Sequence, residues 1–140
     1  MKHIIFICLL VFGQIGCAQT INLRLTVNNL KKISGVIVVG VYNDKNDFPI
    51  DGKEFRKLSF KVSALSVLCP IHDLPQGEYA LAIFHDENGD GICNLGLFGI
   101  PKEGFGFSKN FRPRLRAPDF KDCELEVLKD MAITINLIFR

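Results

Sequence analysis

Ile21, Leu23, Leu25 and Val27 alternate with Asn22, Arg24 and Thr26, the period-two pattern of a strand with one buried face. The run Val36 to Tyr42 is instead rich in β-branched residues and apolar on both faces, as a central strand would be. Leu58, Phe60 and Val62 alternate with Ser59, Lys61 and Ser63, and a further strand is predicted from about Leu65 to Ile71. Leu74-Pro75-Gln76-Gly77-Glu78-Tyr79 predicts a turn, because Pro presets one backbone dihedral and Gly permits a positive one; Tyr79 then opens a strand over Ala80 to His85. This turn is similar to the tyrosine corner of Greek-key sandwiches, in which the phenol bonds back to the backbone. Leu125 and Val127, a Lys129-Asp130 turn, and Met131, Ile133, Ile135, Leu137 and Phe139 on one face predict a terminal hairpin.

Between Asp86 and Pro118 the pattern fails, interrupted by Gly89, Gly91, Gly96, Gly99, Gly104 and Gly106. A connection this long inside a compact domain carries function or is disordered, and its aromatic residues argue for order. No helical period exceeds two turns and no repeat is visible. The predicted fold is therefore all-β, an Ig-like Greek-key sandwich of about seven strands with one long Gly-rich loop.

Composition changes this picture little. The chain has 140 residues, a formal net charge of +2, 48% hydrophobic and 23% charged residues, which fits one globular domain and disfavours wholesale disorder or a nucleic-acid-binding surface. The N-terminus changes it more. Met1, Lys2 and His3 precede an apolar run from Ile4 to Gly13, too short to cross a bilayer but suited to a secretory signal. Gly16 and Ala18 place small residues for cleavage after Ala18, giving a signal peptide over 1–18 and one β-sandwich domain over 19–140. A lipoprotein reading, with Cys17 acylated, is disfavoured by Gln14 and Ile15. The product would be periplasmic or extracellular. Cys69, Cys93 and Cys123 would then sit where thiols can oxidise; three permits one pair, in any of three connectivities.

The Asp86-Glu87-Asn88-Gly89-Asp90-Gly91-Ile92-Cys93-Asn94 segment matches the start of a calcium loop. Oxygen donors stand at positions 1, 3 and 5 (Asp86, Asn88, Asp90), Gly at 6, a backbone carbonyl at 7 (Ile92) and Asn94 at 9. Position 12 is Leu97 where an EF-hand carries Glu, so Glu103 is the candidate substitute. With two carboxylates assured, affinity would be weak, on the order of 0.1 to 1 mM. The competing reading is that Asn88-Gly89 and Asp90-Gly91 simply make tight turns.

His85-Asp86-x-Asn88, the block Gly99-Ile100-Pro101-Lys102-Glu103-Gly104-Phe105-Gly106-Phe107-Ser108-Lys109-Asn110 and Pro118-Asp119-Phe120 together resemble the bacterial family of domain of unknown function 2141. The likeness spans nearly the whole chain after the signal. It implies a secreted, Ig-like β domain and no particular reaction. Asp90, Asn94, Lys109 and Cys123 depart from the expected Asn, Asp, Asn and small residue; the exchange at 90 and 94 preserves oxygen donors.

Three other chemistries compete. A small hydrolase would use His85 with Glu103 or Ser108, although adjacent His85 and Asp86 on a strand point to opposite faces, against a relay. Cys69-x-x-His72 has the look of half a zinc site but lacks a second half. Arg112, Arg114 and Arg116, near Phe105, Phe107 and Phe111, suggest a surface that grips a polyanion or acidic glycan, limited by Pro113 to a loop or edge. The leading expectation is a non-enzymatic exported binding or accessory domain, for a small ligand or an extracytoplasmic partner, whose calcium loop orders the Gly99 to Asn110 segment.

Overall fold

The computed structural model describes residues 19–140; the predicted signal peptide over 1–18, with Cys17, lies outside the described residues. Among the described residues eight strands form in chain order: β1 (Thr20–Asn28), β2 (Val36–Tyr42), β3 (Arg56–Lys61), β4 (Val67–Pro75), β5 (Gly77–Asp86), β6 (Phe105–Phe107), β7 (Leu125–Val127) and β8 (Met131–Asn136). One four-residue helix, α1 (Phe120–Cys123), precedes β7. The chain is all-β, in two sheets. One sheet has the order β4-β1-β8; the other runs β3-β2-β5-β6, with β7 on the same β5 edge as β6.

The alternation of β1 is realised directly: Ile21, Leu23, Leu25 and Val27 are buried and the residues between them are not. They meet Val67, Cys69, Ile71 and Leu74 of β4 and Ile135 of β8 in one core cluster with Ile37, Val39, Val41, Leu81 and Ile83 of the other sheet. Burying these side chains at about 1.5–3 kcal/mol each is what holds the sheets together.

β2 lies between β3 and β5, as its two apolar faces require. Its second face is covered by a separate cluster of Tyr42, Phe48, Ala80, Phe120 and Cys123. Phe48 sits edge-to-face with Tyr42, Phe107 and Phe120 at centroid distances of 5.2, 6.1 and 6.0 Å.

Two chain crossings differ in legibility. Between β4 and β5 only Gln76 separates strands of different sheets, and the Tyr79 hydroxyl donates to the Pro75 carbonyl at 2.9 Å, as the turn sequence predicts. The predicted terminal hairpin does not form. β7 pairs antiparallel with β5, whereas β8 pairs parallel with β1, so Leu128 to Asp130 carry the chain from one sheet to the other. Alternation specifies which face of a strand is buried and is silent on its partner, and here the Asp130 carboxylate ties the crossing to β1 by accepting the Asn22 N–H at 2.8 Å.

The Gly-rich segment is more ordered than its sequence pattern suggests. It contains β6 and two 3₁₀ turns, Leu97–Gly99 and Ser108–Asn110. β6 is the strand beyond the predicted seven. Its Gly106 faces the core, where a Cβ would come within 2.7 Å of Ile135 Cγ2. Among the described residues no helix is long and apolar enough to cross a membrane.

Candidate functional site

The outer face of the five-stranded sheet is built from cross-strand rows. Val38, Phe84 and Phe105 are in register across β2, β5 and β6, and Gly40, Ala82 and Phe107 form the next row. Ala82 is small, and the Tyr42 ring and Glu54 lie over Gly40, 2.9 and 3.1 Å from where a Cβ would stand. Three connections rise around this face: the β2–β3 connection with Pro49, Asp51 and Glu54, beside Tyr42 at the end of β2; the Gly-rich segment with Ile92, Cys93, Leu95 and Gly99 to Pro101; and Pro113 to Ala117 with Arg140. They enclose a cavity of about 600 Å³, within the ordinary range for small-molecule sites. Ile92, Leu95 and Leu115 line it while remaining 60%, 57% and 102% exposed, so its mouth is apolar as well as its floor.

Charged groups on the walls are unevenly paired. Lys57 contacts Asp51 at 2.6 Å and Glu54 at 3.9 Å; the lysine hydrogen bond holds the Asp51 carboxyl below its ordinary range. Burial, followed by the nearby Glu54 and Asp51 charges, pushes the Tyr42 phenol well above its ordinary value. Burial and then the charges of Glu103 and Asp51 push the Cys93 thiol up to about 11, so it is a thiol, not a nucleophilic thiolate, at neutral pH.

One wall depends on the Asp86 loop. Asp86, at the end of β5 and 1% exposed, accepts the backbone N–H groups of Gly89 (2.7 Å) and Asp90 (3.2 Å) on Oδ1 and of Gly91 (2.8 Å) on Oδ2. Asn88 Oδ1 accepts the Asp90 N–H, and Asp90 Oδ1 accepts the Ile92 N–H. Asp90 Oδ2 receives the side-chain amides of Asn88 and Asn94, both at 2.8 Å. The Asn94 amide, then the Ile92 N–H and the Asn88 amide, hold the Asp90 carboxyl below its ordinary value. Glu103 closes the circuit, accepting the N–H groups of Glu87 at 3.3 Å and Asn94 at 3.4 Å. All six residues singled out for metal thus belong to one network. Among the described residues no three His, Cys, Asp or Glu side chains gather as a metal site; the oxygens of this loop are met by its own N–H donors.

The other sequence candidates are dispersed. His85 is fully buried on the core side of β5, its Nε2 2.7 Å from the Ser34 carbonyl and its Nδ1 without a hydrogen-bond partner, 3.9 Å from Glu87. Ser108 is also fully buried; its hydroxyl accepts the Leu81 N–H at 2.9 Å and donates to the Cys123 carbonyl. Leu81 lies four residues from His85 along β5, about 13 Å of strand, so Ser108 and His85 are not brought together. Cys69 and His72 of β4 point to opposite faces, the first buried and the second exposed beside Asn22. Arg116 is paired with Asp119 at 3.1 Å and Asp122 at 3.5 Å, so the three arginines do not form one uncompensated stripe. Among the described residues Cys69, Cys93 and Cys123 form no disulfide.

The cavity itself was not foreseen from the sequence. Its one signal was the apolar second face of β2, which needs a cover; where that cover meets the sheet incompletely, a cavity results. Residues 25–136 match the model of a family described as an uncharacterized protein conserved in bacteria, DUF2141. No curated protein and no solved structure matches the chain.

Proposed function

We propose that this chain, a protein that belongs to the DUF2141 family, is an exported, non-enzymatic binding domain that takes a small, largely apolar ligand in the cavity on the outer face of its five-stranded sheet. The observation that carries this reading is the cavity of about 600 Å³ with an apolar floor and an apolar, exposed mouth. The Tyr79–Pro75 bond and the sheet-to-sheet crossings support an Ig-like Greek-key sandwich as its scaffold. Export rests on the signal-like sequence over 1–18.

The Asp86 loop serves the cavity by fixing one wall. Ile92, Cys93 and Leu95 follow immediately on the hydrogen-bonded turn, so its rigidity sets where those side chains stand. Calcium, drawn weakly by Asp86, Asn88, Asp90, Asn94, the Ile92 carbonyl and Glu103, would stiffen that wall further. The buried positions of His85 and Ser108 favour a structural part for both over catalysis.

A neutral fluorescent probe, N-phenyl-1-naphthylamine, tests the cavity. The purified protein should bind it saturably with a blue-shifted emission. Ala82→Trp, which fills the floor, should abolish the signal while far-ultraviolet circular dichroism stays unchanged. Equal binding by the folded Trp variant would show that the probe sits elsewhere and overturn the reading.

A further inference from the structure

The charges around the cavity specify more than an apolar ligand. Lys57 stands against both carboxylates of the β2–β3 wall, and Arg116 is held by Asp119 and Asp122. Arg114 and Arg140 have no carboxylate partner among the described residues, and both line the cavity. The Arg140 guanidinium donates to the Pro113 and Arg114 carbonyls, which are neutral acceptors. A guanidinium has five N–H donors, so those two bonds leave three for a ligand. Next to Arg114 stands Leu115, fully exposed at the mouth. Positive charge and bare apolar surface therefore meet at one rim.

We propose that the cavity binds an anionic amphiphile, with its apolar body on the Phe84, Phe105 and Ala82 floor and its single anionic head at Arg114 and Arg140. The ligand class rests on the cavity being a binding site, and the charge pattern adds the head group. The planar guanidinium fork matches two oxygens of a carboxylate or phosphate head. Burial of the ligand body and of Leu115 supplies the remaining affinity.

Calorimetric titration of the purified protein with dodecanoate, dodecyl phosphate, dodecanol and dodecyltrimethylammonium, each below its micelle concentration, separates the possibilities. One or both anions should bind about tenfold or more tightly than dodecanol, the effect of one charge-assisted hydrogen-bonded contact. A preference for dodecanoate identifies a carboxylate source, and one for dodecyl phosphate a lipid-like phosphate source. The double variant Arg114→Gln/Arg140→Gln should lose the preference and keep the dodecanol affinity. Arg112→Gln, which removes a charge outside the cavity, should keep the preference. Equal affinity for all four ligands, tighter binding of the ammonium, or an equal loss in Arg112→Gln overturns anion recognition while the cavity stands as a binding site. No binding of any amphiphile overturns both.

Discussion

The Oδ2 atom of Asp86 accepts the backbone N–H of Gly91 at 2.8 Å, a bond that closes a six-residue turn beginning at the last residue of β5. Together with the two bonds on Oδ1 it lets one buried carboxylate fix the path of the chain into the cavity wall. Asp86→Ala removes both acceptor oxygens and with them all three bonds, and charge-assisted bonds of this kind contribute about 1.5–3 kcal/mol each. Because Gly89 and Gly91 are exposed and regain water, the expected loss is about 2 kcal/mol in urea denaturation. Asp86→Asn keeps one acceptor and sets an amide N–H against the backbone donors. It should fall between wild type and Ala, and both variants should weaken probe binding in the same order.

Tyr79→Phe tests the other side-chain anchor. It deletes only the hydroxyl that donates to Pro75, leaving the ring in the core. The expected cost is about 1 kcal/mol, the usual net worth of such a bond, visible as a lower urea midpoint with an unchanged slope. The cavity lies on the opposite face of β5, so probe affinity should not move.

Tyr79 and Asp86 also show how far the sequence could be read. The turn around Tyr79 and the loop after Asp86 were legible because both are local: Pro, Gly and Asx spacing dictate backbone geometry within a few residues. β1 and β2 were legible because alternation and a double apolar face report burial directly. The fate of β8 was not, because Met131 to Asn136 reads the same whether it pairs with β7 or runs parallel to β1. β6 was missed because three residues, one of them Gly106, carry too short a pattern to read. The cavity was hidden for a related reason. Its walls come from segments far apart in sequence, and its floor from the register that sets β2, β5 and β6 side by side.

The glycines of the long segment divide into two kinds with different expected costs. Gly91 has a φ of +76° with open space where a Cβ would go, so Gly91→Ala pays only the left-handed strain of about 1–2 kcal/mol. Gly106 has no such strain, but a Cβ there meets Ile135 Cγ2 at 2.7 Å and β6 must shift off β8. Gly106→Ala should cost about 1–3 kcal/mol by overpacking. It should also disturb the floor residues Phe105 and Phe107 on either side. Thermal melting measures both costs, and probe binding should fall further in Gly106→Ala than in a Gly106→Ser/Ile135→Ala repacking control.

Alkaline pH should weaken this fold through its thiols. Burial raises Cys69 and Cys123 to about 12, and burial followed by Glu103 and Asp51 raises Cys93 to about 11, against an ordinary 9.0. The folded state therefore keeps protons that the unfolded chain releases. Stability from this source is complete below pH 9 and is lost as pH rises toward the folded values. The urea midpoint should fall across that window more steeply in wild type than in Cys93→Ala. Iodoacetamide at pH 8 should label native protein slowly, Cys93 first, because the other two thiols are fully buried.

Calcium would have to compete with the donors that already satisfy the Asp86 loop. Asp90 Oδ2 faces two side-chain amides, those of Asn88 and Asn94. Turning either amide over exchanges its N–H donors for an oxygen and converts a self-bonded turn into one that presents oxygens to a cation. The hydrogen bonds that hold Asp90 below its ordinary value keep it ionised, and so able to attract calcium, through the whole neutral range and into the carboxylate range. At about tenfold excess over the dissociation constant, calcium should stabilise the protein by roughly 1.4 kcal/mol, a shift of a few degrees in melting. Asp90→Ala should melt at the same temperature with and without calcium. If wild type also shows no shift, the loop is a turn that needs no metal, and the cavity wall owes its position to Asp86 and its backbone partners alone.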